Sequence, residues 1–240
     1  MSVQPLLDVP AEGERIVRAG EREGLTVRLC GGAAVAHLCP SAGRPPLARE
    51  YKDVDLVALR RERNGIAALL SGLGYEPRDE FNLLSGGSRL LFWDPGNARQ
   101  LDVMLDRFEM CHTLELAGRL GATRIALDPA DLLLTKLQVR ETNDRDVKDA
   151  LALLLDTSPD IDRIVTVLCD DWGWWRTATE VLRRVAAAAP MLDPADAGLA
   201  RDRIDTIERE LAVRPKSLRW RTRALLGDRV RWYEEPVEEY

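Results

Sequence analysis

No run of apolar residues in the 240-residue chain approaches the ~18 needed to cross a bilayer, which argues against an integral membrane protein. Met1-Ser2-Val3-Gln4-Pro5 has neither the basic start nor the apolar stretch of a secretory leader. The four cysteines (Cys30, Cys39, Cys111, Cys169) are scattered without a C-x-x-C pair, so neither a disulfide framework nor a zinc site is expected. A cytoplasmic protein with reduced thiols is expected. Positive charge is also in short supply: 34 Lys and Arg against 40 Asp and Glu leave a formal charge of −6. That balance opposes general coating of nucleic acid, although an average can conceal a local basic face. With 45% hydrophobic and 31% charged residues, the chain has the composition of an ordinary globular protein with a real core.

What is present is organised around Asp53-Val54-Asp55-Leu56-Val57-Ala58-Leu59. Side chains alternate along a strand, so Asp53 and Asp55 project from one face. Two such acids repel unless a cation lies between them, and oxygen ligands suit Mg²⁺. The competing reading is an edge strand that opens on solvated acids. Upstream, residues 11–23 read as a helix stopped by Gly24, and Thr26–Cys30 as a strand running into Gly31-Gly32. The helix expected after these glycines, Ala33–Leu38, would offer free N–H groups to a phosphate. Otherwise the pair is a plain connecting turn. His37 in that helix is expected in the interior. Arg49 and Lys52, in the loop before Asp53, either meet phosphate oxygens or solvate the loop.

Residues 60–73 read as an amphipathic helix ended by Gly74. Two hairpins are expected next. Ser85-Gly86-Gly87-Ser88 would separate strands at Phe81–Leu84 and Arg89–Trp93, and Asp94-Pro95-Gly96-Asn97 would lead into Arg99–Leu105. Asp102 then falls inside an apolar strand, where a charge is costly unless paired or liganded. Asp106 is the reserve on the same face. From Asp128 the pattern turns helical, with Asp128-Pro129, Asn143 and Asp193-Pro194 as helix starts. The chain divides into residues 1–127, mixed α and β, and residues 128–240, helical.

These motifs resemble the DNA polymerase β-like nucleotidyltransferase superfamily. The likeness rests on Gly31-Gly32, on R-x-x-K-D-V-D-L from Arg49 to Leu56, and on Leu101-Asp102-Val103. Leu132 to Gln138, with Lys136, followed by Arg145-Asp146 and Asp149, is similar to AbiEii-type and related bacterial toxin nucleotidyltransferases. The implied fold is α/β (α+β), a mixed sheet flanked by helices with a helical C-terminal region. The implied chemistry is transfer of NMP from an NTP to a hydroxyl on RNA (a tRNA 3′ end) or on a protein side chain, with an antitoxin as possible partner. A small-molecule acceptor of the aminoglycoside type is the alternative, as is a module that only binds. In that picture Asp53, Asp55 and Asp102 hold two Mg²⁺ ions, which clamp the attacking and leaving oxygens. Gly31 and Gly32 present N–H groups to the β/γ phosphates. Lys136, Arg49 and Lys52 meet the triphosphate, and Asp146 and Asp149 either orient Lys136 or are helix-surface acids. Ala33 departs from the superfamily, where a hydroxyl residue often follows the glycines.

Three features stand outside this set. Phe108–His112 includes a Cys-His pair without a third partner and reads as packed core rather than a nucleophile site. Trp172-Gly173-Trp174-Trp175 reads either as core or as a base-stacking platform. Between Leu211 and Tyr233 seven cations face one acid, either a docking surface for RNA or a salt-bridged helix face.

Overall fold

The computed structural model describes residues 4–85 and 87–235. The chain forms two compact units. One comprises Met1–Leu38, Glu50–Phe108 and Leu114–Asp128; the other comprises Cys39–Arg49, Glu109–Thr113 and Pro129–Tyr240.

The first unit opens with α1 (Val9–Arg22), capped by Asp8 accepting from the Ala11 amide, and Gly24 turns the chain at φ +73°. Next come β1 (Val27–Leu29), α2 (Gly31–Leu38), β2 (Val54–Ala58) and α3 (Arg63–Gly72), then the two-residue β3 (Glu76–Pro77) and α4 (Asp79–Leu84). β4 (Arg89–Asp94) and β5 (Arg99–Leu105) follow, joined by the expected Asp94–Asn97 turn. That turn is tied by Asp94 Oδ1, which accepts from the Gly96 and Asn97 amides. The mixed five-stranded sheet runs β1-β2-β5-β4-β3, with β2 and β5 parallel and the other pairs antiparallel. Ile16 and Val17 of α1 are fully buried, as are Leu29, Leu56, Leu101 and Val103 of the strands. A two-stranded ribbon, β6 (Arg107–Glu109) and β7 (Thr113–Glu115), follows.

Three expectations are corrected here. Phe81–Leu84 belongs to helix α4 rather than a strand, because buried Asn82 turns its amide to both backbone groups of Leu91 (Nδ2 to O 3.1 Å, N to Oδ1 2.6 Å). A strand would carry that side chain straight out. Gly86 of the expected turn lies outside the described residues. His37 is on the exposed side of α2, its Nδ1 3.5 Å from Glu14. Asp106 does not continue the face of Asp102. It leaves β5 at φ +67°, and its Oδ1 accepts from the Arg60 amide at 2.9 Å.

The second unit is helical: α5 (Pro129–Leu137), α6 (Asp144–Asp156), α7 (Ile161–Asp170), α8 (Trp172–Ala188), α9 (Pro194–Val213) and α10 (Leu218–Ala224). Asn143 caps α6 through the Arg145 and Asp146 amides, and Asp193 caps α9 through those of Ala195 and Asp196. α5 is buried from Ala130 to Leu137, so it is the helix around which this unit packs. Among the described residues, no helix is long and apolar enough to cross a membrane.

Candidate active site

Asp55 and Asp102 are Cα partners across the parallel ladder of β2 and β5, which directs both carboxylates to one face. Asp53, one residue before β2, shares their parity and is exposed, while Asp55 is half-buried. Asp102 is only 5% exposed. Burial raises its pKa above the ordinary carboxylate value, Arg89 opposes that shift, and the nearby charge of Asp53 adds to it. Asp53 and Asp102 therefore share one electrostatic neighbourhood, and Asp55 stands across the ladder from Asp102.

Gly31 closes the floor of this site. Its φ is +58°, and a Cβ there would stand 2.0 Å from Asp55 Oδ2. Only glycine lets the backbone pass so near that carboxylate. The Cys30 amide donates to the Asp55 carbonyl at 2.9 Å, fixing the turn against β2. Gly31 is itself the first residue of α2 and Gly32 the second, so the expected strand–glycine–helix order holds with the helix starting two residues early. Lys52 is exposed in the segment just before Asp53.

Arg89 was not anticipated. It stands at the start of β4 and reaches diagonally to Asp102, with Nε 2.7 and 2.9 Å from the two carboxylate oxygens and Nη2 bonded to Oδ2. The available signal was parity: in the hairpin set by Asp94–Asn97, Arg89 shares the face of Leu91, which opposes Asp102. Among the described residues, no three His, Cys, Asp or Glu side chains are gathered closely enough to surround a metal ion. The all-oxygen donor set of Asp53 and Asp55 suits a hard cation such as Mg²⁺. Asp102 joins such a set only when its bonds to Arg89 loosen.

The remaining expected site residues form a charge cluster inside the helical unit. Lys136 Nζ lies 2.8 Å from Asp149 Oδ2 and 3.3 Å from Asp146 Oδ1. Asp149 also takes a two-pronged contact from Arg49, at 2.8 and 2.7 Å. Burial disfavours charge on Lys136, but Asp149 and Asp146 outweigh it and its pKa is raised. Burial likewise opposes the charged form of Asp149, and Lys136 and Arg49 together hold its pKa below the usual carboxylate value.

The features set aside in the sequence take structural places. His112 is buried, stacked on Trp174 with centroids 5.1 Å apart, and its Nε2 meets Thr177 Oγ1 at 2.8 Å. Trp172 and Trp174 are buried, and Trp174 Nε1 donates to the Thr113 carbonyl. Several tail cations are held within their unit: Arg214 by Asp162, Arg219 by Asp171, and Arg223 by the carbonyls of Gly227 and Val230.

No family model matches the chain, and no curated protein matches it. Two solved structures are similar in trace. The solution structure of the antibiotic-resistance factor ANT(2'')-Ia shares 14% identity over 83% of this chain and 95% of that one, with a TM-score of 0.39. The crystal structure of an antigenic nucleotidyltransferase-like protein from Paracoccidioides brasiliensis shares 14% identity over 89% of this chain and 96% of that one, with a TM-score of 0.44.

Proposed function

We propose that this protein is a Mg²⁺-dependent nucleotidyltransferase moving NMP from an NTP to a hydroxyl acceptor. The observation that carries this reading is the parallel pairing of Asp55 with Asp102, with Asp53 one residue before β2 and near enough for its charge to act on Asp102, and the Gly31 backbone against Asp55. Acids gathered on one face repel one another, a cost that a cation-dependent reaction justifies. Bound there, Mg²⁺ supplies neutralisation of the charge that develops at the α-phosphoryl group. Asp53 and Asp55 would hold it, with Asp102 as a further ligand.

In the reaction, the acceptor oxygen forms a bond to the α-phosphorus as the bond to the bridging oxygen breaks, and pyrophosphate leaves. The hydroxyl proton passes to a base, and buried Asp102, with its raised pKa, suits that part once Arg89 has moved aside. Gly31 and Gly32 open α2 with amides suited to phosphate oxygens. The acceptor proposed is RNA, as at a tRNA 3′ end, or a protein side chain; a small-molecule hydroxyl of the aminoglycoside type is the alternative.

One observation favours a second reading. The contact of Arg89 with both oxygens of Asp102 satisfies that carboxylate without a metal, as a non-catalytic nucleotide-binding module would require. Incubation with each α-labelled NTP, Mg²⁺ and a cell extract, beside Asp53→Asn/Asp55→Asn, separates the two. The transferase reading expects label only with the wild-type protein, and the labelled species identifies the acceptor. Label in both samples or in neither rejects it.

A further inference from the structure

Asp102 has an aromatic neighbour on the far side of Arg89. The guanidinium that grips Asp102 also lies over the half-buried Phe81 ring, its Cζ 5.6 Å from the ring centroid. Carboxylate, guanidinium and ring follow one another outward, and the ring stands roughly 10 Å or less from the Asp102 carboxylate.

The fold holds that ring in place. β3 pairs with β4 only through Glu76 and Pro77, opposite Trp93 and Phe92. Beyond them Asn82 continues the pairing, its side-chain amide bonded to both backbone groups of Leu91. The Asn82 carbonyl in turn accepts from Arg63 at 2.6 Å. α4 is thereby pinned along the edge of β4, one residue from Phe81. Leu84 follows Phe81 by three residues, which places it on the same side of the helix, and it is 77% exposed. Phe81 and Leu84 form an apolar ledge beside the Arg89–Asp102 pair. Leu83, 82% exposed, points away from it.

The ledge gains a use from the nucleotidyl-transfer reading, on which this inference rests. There the acceptor hydroxyl reaches Asp102, so the rest of the acceptor lies against the surroundings of Asp102. On the β2 side these are Asp55 and the Gly31 backbone; on the β4 side they are Arg89 and Phe81. A guanidinium fork matches phosphoryl oxygens, and an aromatic ring stacks on a base. A nucleoside whose 3′ hydroxyl meets Asp102 can lay its base outward toward the ring. A protein hydroxyl brings neither base nor phosphate, and an aminoglycoside, itself a polycation, offers Arg89 no counter-anion.

We propose that Phe81, with Leu84, is the acceptor platform. The base of the 3′-terminal nucleotide of a single-stranded RNA stacks on it, while Arg89 turns from Asp102 to the last phosphodiester of that strand. The incoming acceptor thus frees the carboxylate that it needs. Phe81 selects the acceptor, and Arg89 positions it.

The test uses the full chain with Mg²⁺ and no NTP. The probe is a ten-nucleotide single-stranded RNA whose 3′-terminal base is 2-aminopurine, which loses fluorescence when it stacks. Wild type should quench the terminal base and leave the same label at the fifth nucleotide unchanged. Phe81→Ala should bind at least about tenfold more weakly and no longer quench; Phe81→Tyr should restore both. Leu84→Asp, at an exposed position that leaves the fold intact, should weaken binding, and Leu83→Asp, its charge-matched control, should not. A methylphosphonate at the last linkage should weaken binding by wild type, whereas one at a central linkage should have little effect. No binding by wild type, quenching that survives Phe81→Ala, equal weakening by Leu84→Asp and Leu83→Asp, or equal effects of the two methylphosphonates overturns the proposal. RNA that stacks on Phe81 but never takes label from an NTP rejects the transferase reading and leaves the platform standing. Label on RNA without stacking, or label on protein or a small molecule, rejects the platform alone.

Discussion

Arg89 holds both carboxylate oxygens of Asp102, from a strand that meets β5 antiparallel. The pair is largely buried, with side-chain exposures of 26% and 7%. Removing one partner strands the other charge away from water. Arg89→Met is therefore expected to lower stability by about 3 kcal/mol in urea melts without metal. Added Mg²⁺ should recover part of the loss in Arg89→Met and none in Asp102→Asn, because only the first variant keeps the carboxylate. Identical Mg²⁺ responses in the two variants would show that Asp102 is no ligand.

Gly31→Ala is expected to damage both structure and transfer. It forces an L side chain to φ +58° and drives Cβ into the Asp55 carboxylate. The stability cost should reach at least about 2 kcal/mol. Transfer from labelled NTP should fall by more than a hundredfold, since Asp55 must shift to make room. Gly32→Ala, one residue further into α2, is the control and should fold with near-normal stability.

The Lys136–Asp149–Arg49 cluster carries an acid-side signature. The folded pKa of Asp149 lies below its unfolded value, so its stabilisation is present above pH ~4 and disappears as pH falls through the folded pKa. Asp149→Asn should cost about 3 kcal/mol at pH 7, leaving Lys136 and Arg49 with less compensation. The gap from wild type should close below pH 4. Urea melts at pH 7, 5 and 3 check this.

His112 gives a second pH dependence, in a different window. Burial lowers its pKa to about 4, against a weaker upward pull from Asp171. The unfolded chain binds the proton first, so stability falls as pH drops from about 6.5 toward 4. By pH 4.5 that loss amounts to about 2.5 kcal/mol. His112→Gln should abolish this part of the acid sensitivity, which paired melts at pH 7 and 4.5 would reveal.

The legible parts of the sequence were those where one residue type had one physical use. Asn143 and Asp193 announced helix starts because an Asx side chain satisfies first-turn amides. Asp102 announced itself because a charge within Leu101–Val103 has to be compensated. The misread parts depended on partners distant in sequence. Phe81–Leu84 is too short for its periodicity to decide between strand and helix, and the deciding contact is Asn82 with Leu91, nine residues away. Arg89 looked like an ordinary strand residue until the β4–β5 register placed it beside Asp102. Arg49 read either as a contact for phosphate oxygens or as a solvating cation of its loop, and the structure adds what neither reading contained, a contact with Asp149 one hundred residues on. His37 sits in an apolar run, but the exposed side of a helix depends on what packs against it, and here that side faces Glu14.

The ladder between β2 and β5 also determines where this gene can tolerate length changes. Residues added to or removed from the Pro40–Pro46 loop leave the partnership of Asp55 and Asp102 intact, because neither strand contains them. One codon inserted between Arg99 and Asp102 would turn the carboxylate to the opposite face, or else shift the apolar residues Leu101, Val103 and Leu105 out of the core. Natural variants of this chain should therefore differ most at the exposed residues 43–46 of that loop, beyond the buried Ser41 and Ala42, and keep β5 at constant length.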